Sequence, residues 1–323
     1  MSKSCPRVVV IGGGTGTYQV LLGLKKYPLE LSAIVTMSDS GGSSGRLREE
    51  FGILPPGDIR RALLALSNLP ISEKTLAKLF EFRFTNGHGL AGHNLGNLFL
   101  AALTQITGRA DLAVEEAEEI LKTAGHVYPV TLKKTNLHAV LADGTVIRGE
   151  TNIDVRRVKP SVSIQKVFLK PNASVYPKAK EAILKADLII LGPGDLYTSI
   201  IPNLLVRGVN QAIKNSRAKL VYVCNLMTKH GETDHFAAVD FVNEIKNYLG
   251  PAKGKLGYVL INKKVTLSPA VIHWYKKYHS RPVEDGLDGE ASGIKVIHGS
   301  FAQGEKFVRH HPSRLARALA NLL

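Results

Sequence analysis

Cysteine is scarce in this 323-residue chain: Cys5 and Cys224 stand far apart and without metal-type spacing. That excludes a disulfide framework and a cysteine-held zinc site, and it fits unpaired thiols in a reducing, cytoplasmic setting. No apolar run approaches the roughly 20 residues that a bilayer-spanning helix needs. Lys3 and Arg7 precede Val8-Val9-Val10-Ile11 as in a signal peptide, but Gly12-Gly13-Gly14 ends that stretch at once, so it reads as a first buried strand. Also missing are an arginine-rich arm, a zinc finger and an aromatic-interleaved basic motif of the RNA-binding kind. There is no G-x-S-x-G elbow, no H-E-x-x-H, no C-x-x-C and no Cys/His pair, so no nucleophile or general base announces itself.

What the chain does have is an ordinary globular balance, 44% hydrophobic and 21% charged, enough for one large domain. Its formal charge of +15 suits nucleic acid, a membrane surface or acidic small molecules. The basic residues are scattered, as in Lys25-Lys26, Lys133-Lys134, Arg156-Arg157 and Lys263-Lys264. A solvated basic surface is therefore the expectation, and nucleic acid is disfavoured as a partner.

Short β-branched runs alternate with helical patterns. Arg7–Ile11, Thr15–Lys26 and Leu31–Met37 read as strand, helix, strand. Further apolar runs end in glycine, proline or a small polar residue: Leu188–Leu191, Leu220–Cys224, Tyr258–Ile261 and Ile294–Ile297. The spacing predicts a Rossmann-like, doubly wound α/β fold with a mainly parallel sheet, whose strands carry ligand loops at their carboxyl ends. Between the two blocks, helices are expected at Ile59–Ser67 with Asp58 as N-cap, at Ser72–Phe82, His93–Ile106 and Asp111–Thr123. A hairpin follows, Leu137–Ala142 and Thr145–Glu150, turned at Asp143-Gly144. Roughly residues 55–160 thus read as a helical and β-hairpin insertion in a single domain spanning 1–323.

Gly12-Gly13-Gly14-Thr15-Gly16 follows a strand and opens a helix, where bare backbone amides and the helix N-terminus favour a phosphate. Thr17 stands where a third Rossmann glycine belongs, and no Gly-Lys-Ser/Thr follows, so neither the dinucleotide fingerprint nor the P-loop is complete. Asp39 is placed for a ribose hydroxyl. With Ser40, Gly41, Gly42, Ser43, Ser44, Gly45 and Arg46 it forms a second anion loop or a flap over the ligand. Asp58 reads equally as a cap and as a ligand or metal contact. His93, Asn94 and Asn97 are expected on one face of an otherwise apolar helix, where buried polar groups need partners. Gly192-Pro193-Gly194 with Asp195–Asn203, and Cys224-Asn225 with Leu226–Thr233, add two more strand-end loops, bringing Gly192, Gly194, Asn225 and Thr228 to one cleft.

In this order these motifs resemble the gluconeogenesis-factor (YvcK-like) proteins of bacteria, from the first strand to about Arg309. The departures are Ser40 where an acid is common, and Asn94 and Asp195 where serine is common. The resemblance implies a fold shared with the 2-phospho-L-lactate transferases of deazaflavin-cofactor biosynthesis and the binding of UDP-N-acetylglucosamine. It implies a regulator of carbon flow to cell-wall precursors and cell shape, with a protein partner in that metabolism. It also assigns Tyr275 and Arg309 to the nucleotide sugar, the ring to stack on uracil and the guanidinium to take the diphosphate. The diphosphate is then expected on Gly13–Gly16 and a closing Gly41–Gly45 segment, neutralised by Arg46 and Arg309, with Asp39 and Asn225 on ribose or base.

Three other readings stand beside it. One is a transferase like the phospholactate enzymes, with magnesium held by Asp39 or Asp58. Another is an NAD(P)-dependent oxidoreductase, weakened by the missing glycine at position 17. The third, a nucleic-acid binder, rests on charge alone. Otherwise no cofactor and no resident metal is expected, and a homo-oligomeric state is left open.

Overall fold

Alternating apolar runs and helical stretches build the chain as strand–helix repeats. The computed structural model describes residues 5–69, 74–263, 268–287, 293–304 and 307–323; Lys3, Ser72, Glu73 and Lys264 of the readings above lie outside them. The first unit is β1 (Arg7–Gly12), α1 (Gly14–Leu24) and β2 (Glu30–Val35). Then come α2 (Gly42–Phe51), α3 (Gly57–Leu66), α4 (Lys74–Glu81), α5 (Leu95–Thr107), α6 (Ala110–Ile120) and β3 (Gly125–Pro129). β4 (Asn136–Leu141), β5 (Val146–Arg148), α7 (Glu150–Asp154) and β6 (Ile164–Lys170) follow. The second half begins with α8 (Pro177–Lys185), β7 (Leu188–Leu191), α9 (Ile201–Leu204), α10 (Val209–Asn215) and β8 (Lys219–Val223). It ends with α11 (Ala238–Leu249), β9 (Leu256–Asn262), α12 (Pro269–Lys277), β10 (Lys295–Gly299), β11 (Ala302–Gln303), β12 (Arg309–His310) and α13 (Pro312–Ala320).

Seven parallel strands make the main sheet in the order β10-β9-β8-β7-β1-β2-β3. Their runs are buried on both faces: Val8, Val10, Ile11, Ile190, Leu191, Val221 and Val223 have no exposed surface. Burial of each such side chain is worth about 1.5–3 kcal/mol, which explains the near-continuous hydrophobic runs in place of alternation. The chain winds outward from β1 toward β3, then returns to β7 and winds toward β10, so the order reverses between β1 and β7. Loops leaving the carboxyl ends of those two strands diverge and leave a crevice.

The expected hairpin forms: β4 pairs antiparallel with β5, and Gly144 takes the left-handed φ of 83° that the turn requires. β6 pairs on the other edge of β4 and completes a three-stranded sheet. Residues 55–160 also supply β3 to the main sheet and α3, which packs on α1.

Three local expectations change. Residues 42–46, read as part of a loop or flap, are the first half of α2, which runs from Gly42 to Phe51. Its glycines and serines are poor helix formers, and burial of Leu47 against Ile53 and Ala101 outweighs propensity there. Asp58 is not the cap of α3; Pro56 occupies that position, and Asp58 sits in the first turn with its carboxylate turned elsewhere. His93 and Asn94 precede α5 instead of riding on its face, because Asn94 caps the helix by accepting from the Asn97 amide at 3.2 Å. Among the described residues no helix is long and apolar enough to cross a membrane.

A Cβ on Gly16 would lie 2.2 Å from the Pro193 carbonyl oxygen, so α1 and the loop after β7 meet backbone to backbone. Gly16→Ala should cost about 1–3 kcal/mol, as overpacking does, measured by thermal or denaturant unfolding. Gly254→Ala, with nothing within 4 Å of its Cβ position, should stay within about 0.5 kcal/mol of the parent.

Candidate functional site

The reversal of strand order puts the glycine loop of β1 against the loop of β7. A Cβ on Gly13 would lie 2.6 Å from Asp58 Oδ2, and Gly14 has a φ of 67°. The Gly14 amide donates to Asp58 Oδ1 at 2.9 Å, so the start of α1 is bonded by a carboxylate from the start of α3.

On one side of this junction lies a polar cleft of about 410 Å³. Gly14, Gly42 and Gly57, the first residues of α1, α2 and α3, all line it. Three helix N-termini therefore converge there, a positive potential carried by backbone amides. Arg60, Arg61 and Arg83 add charge, and Arg60 Nε donates to Asn97 Oδ1 at 3.0 Å. Ser43 and Ser44 line the same wall. Ser43 Oγ pairs with His93 Nδ1 at 3.2 Å and accepts from the Asn94 amide, while Asn97 Nδ2 donates to Ser44 Oγ.

Five carboxylates face these cations: Asp39, Asp58, Glu150, Asp154 and Asp195. Burial pushes Asp58 up to about 6, with Asp39 adding to the rise and Arg61 and the Gly14 amide opposing it. Glu150 is pushed up to about 8 by burial and by the charges of Asp39 and Asp154. Glu150 thus keeps its proton at neutral pH and offers the cleft a hydrogen-bond donor.

On the other side of the junction is a cavity of about 320 Å³. Thr15, Gly16, Gly194, Asn225, Tyr275, Phe307, Arg309 and His310 form its walls. The Tyr275 hydroxyl accepts from the Val308 amide at 3.0 Å, which fixes the ring. Burial pulls His310 down to about 4, opposed by a hydrogen bond with the Cys224 backbone, so its imidazole is neutral behind the cavity wall. Thr15 and Asp195 line both cavities and mark where they join.

Among the described residues, Asp154, Asp195 and Glu232 are close enough together to hold a metal ion. The ammonium of Lys229 already lies among them, 2.7 Å from Asp195 and 3.0 Å from Glu232 and in contact with Asp154.

Of the residues named from sequence, Gly14, Thr15, Asp39, Gly41, Gly42, Ser43, Ser44, Asp58 and Asn97 line the polar cleft. Thr15, Gly16, Gly194, Asn225, Tyr275 and Arg309 line the aromatic one. The rest are engaged behind these walls. Gly12 and Gly192 pack at the strand ends, where a Cβ would meet Thr17 and Ile200. Ser40 bonds Thr151, Arg46 donates to the Ala91 carbonyl, and Thr228 pairs with Arg281. Asn225 Nδ2 donates to the Gly194 carbonyl, and its Oδ1 pairs with the Tyr222 hydroxyl, so it orders the loop after β7. Asp39 and Asn225 line different cavities and do not converge.

Sequence reasoning missed Arg83, Glu150, Thr151, Asp154 and Phe307, which reach the site from segments with no glycine signature. A wider concavity of about 720 Å³ lies at the opposite, amino ends of β1, β2 and β3, lined by Arg7, Glu30, His126 and Lys178. Its volume is larger, but the glycine-rich loops after β1 and β7 do not line it, and strand-end chemistry favours the carboxyl side.

The sequence model of the family described as 2-phospho-L-lactate transferase CofD matches residues 8–302. The chain is 42% identical over 315 residues to the gluconeogenesis factor of Halalkalibacterium halodurans, covering 97% of this chain and 95% of that one. It is 40% identical over 321 residues to the gluconeogenesis factor of Bacillus subtilis, covering 98% of each. A solved structure of a Bacillus halodurans protein superimposes with a TM-score of 0.90 at 41% identity, covering 98% of this chain and 99% of that one. A second crystal structure, of a UPF0052 family member from the same organism, gives a TM-score of 0.90 at 41% identity, covering 97% and 99%.

Because Glu150 keeps its proton in the folded protein up to about 8 and loses it near 4.5 when unfolded, stability should fall as pH rises through that window and level off above it. Glu150→Gln removes this dependence. The variant should gain on the order of 4–5 kcal/mol on the parent between pH 4.5 and pH 8.5, read by denaturant unfolding at both pH values.

Proposed function

Since this chain belongs to the CofD family, alongside proteins called gluconeogenesis factors, we propose that its two cavities form one site for UDP-N-acetylglucosamine. The observation that carries this reading is the meeting of the cavities at the start of α1, where Thr15 and Asp195 line both. A nucleoside diphosphate sugar has the same three-part chemistry. Its flat base suits the Tyr275 and Phe307 rings, its diphosphate suits the helix N-terminus and Arg309, and its hydroxylated sugar suits the polar cleft. Protonated Glu150 donates a hydrogen bond to the sugar on this reading, while Asp39 accepts from a hydroxyl.

The protein then acts as a cytoplasmic sensor of the nucleotide sugar. Occupancy adjusts carbon flow toward cell-wall precursors, and through it cell shape, by way of a protein partner in amino-sugar metabolism.

A second reading is favoured by the paired acids. Asp39 and Asp58 each accept one backbone amide through Oδ1, and the Oδ2 atoms face Gly57 and Gly13. That donor set fits a magnesium ion, which neutralises phosphate charge when bound, as a phospholactate-type transferase requires. Transfer of a phosphorylated group to a deazaflavin acceptor, dependent on magnesium, is the result that favours it.

Calorimetric titration with UDP-N-acetylglucosamine, UDP, GDP and NAD(P) tests the first reading. Saturable binding of the UDP-sugar without product supports it, and preference for GDP or a dinucleotide overturns it. Arg309→Ala and Tyr275→Ala should each weaken binding by about 1–3 kcal/mol. Arg46→Ala, whose guanidinium is held by the Ala91 carbonyl, should weaken it less.

A further inference from the structure

We propose that Lys229 is a positioning residue for the cleft, a built-in cation that holds Asp195 and Asp154 at its wall and fastens the three-stranded sheet to the main sheet. Its ammonium contacts three carboxylates far apart in sequence. Asp154 ends α7, between β5 and β6; Asp195 follows β7; Glu232 lies in the loop after β8.

The geometry makes the charge necessary. Ligand atoms of the three acids all lie within 4.8 Å of one another. At such separations like charges repel strongly wherever water is excluded, and the Glu232 side chain has no exposed surface. Burial works against the ammonium, but Glu232, Asp195 and Asp154 together outweigh it and raise its pKa above the ordinary value. Burial likewise pushes Glu232 up to about 7, and Lys229 restrains that rise.

The contacts around the ammonium are built to hold it in place. The Lys229 amide donates to Thr233 Oγ1 at 2.9 Å, which fixes the backbone that carries it. Glu232 accepts from the Tyr197 amide at 3.3 Å and from Thr198 Oγ1 at 3.4 Å, so the turn after Asp195 is anchored to the same carboxylate. Asp195 lines both cavities and Asp154 lines the polar one, which carries the arrangement to the ligand walls. A compact ammonium with three donors suits three convergent carboxylates; a planar guanidinium suits them less well.

The effect on ligand affinity rests on the UDP-sugar reading, whereas the fastening of the sheet does not. Two measurements on the full chain keep them apart. The first follows amide hydrogen exchange of residues 136–170 without ligand. Asp154→Asn and Lys229→Ala should speed exchange there by about tenfold or more, the size of a lost charge-assisted contact. Propylammonium chloride should restore slow exchange in Lys229→Ala, and tetramethylammonium chloride at equal ionic strength should not, since it has no N–H to donate.

The second is titration with UDP-N-acetylglucosamine, where Lys229→Ala should bind about tenfold more weakly and propylammonium should recover the loss. A parent protein that binds no UDP-sugar sinks the functional reading but leaves the exchange result to decide Lys229. Unchanged exchange in both variants, or a Lys229→Ala defect that propylammonium does not reverse, overturns the proposal. Should Lys229→Ala not fold, Asp154→Asn decides alone, and unchanged exchange in it is the overturning result.

Discussion

The start of α1 and the loop after β7 touch through backbone alone, and the site depends on that contact. No side chain fits between Gly16 and Pro193, or between Gly13 and Asp58. The requirement comes from adjacent parallel strands whose connections leave in opposite directions, which brings two loops together where the strand order reverses and a crevice opens. Once α1 is seated there, its first amide takes Asp58, Asp58 fixes the start of α3, and the start of α2 completes the ring of helix N-termini around the cleft.

Electrostatics then divides the cleft. Helix termini and Arg60, Arg61 and Arg83 favour an anion, while Asp39 and Asp195 disfavour one that is charged throughout. A ligand with a charged middle and neutral ends satisfies both demands. Buried acids facing one another ordinarily cost stability, and the protein meets that cost differently at two places: protonation at Glu150 and an internal ammonium at Lys229.

The parallel sheet and its ligand loops were legible because their signals are local. An apolar run ending in glycine or a small polar residue says both what the strand is and where its loop begins: β1 and β7 run into glycine, β8 and β9 into asparagine. The hairpin at Asp143-Gly144 was legible for the same reason. α2 was not, since Gly-Ser-Ser-Gly reads as a loop and only packing of Leu47 makes it a helix. β3 was not, because Gly-His-Val-Tyr-Pro has too short an apolar pattern to stand out. The site was half legible. Glycine loops pointed to α1, α2 and the turn after β7. Glu150, Asp154 and Arg83 come from segments whose role exists only after the three-stranded sheet and the α4–α5 connection fold over the cleft. Arg46 and Asn225 show the converse: their residue types suit a ligand, but neighbouring carbonyls already take their donors.

The most direct measurement is a crystal structure of the protein with UDP-N-acetylglucosamine. The account predicts uracil against Tyr275 and Phe307, the diphosphate at Arg309, Thr15 and Gly16, and the sugar between Asp39 and Glu150. Density for the ligand in the concavity beneath the amino ends of β1, β2 and β3, or a nucleotide lying wholly within one of the two cavities, would contradict it.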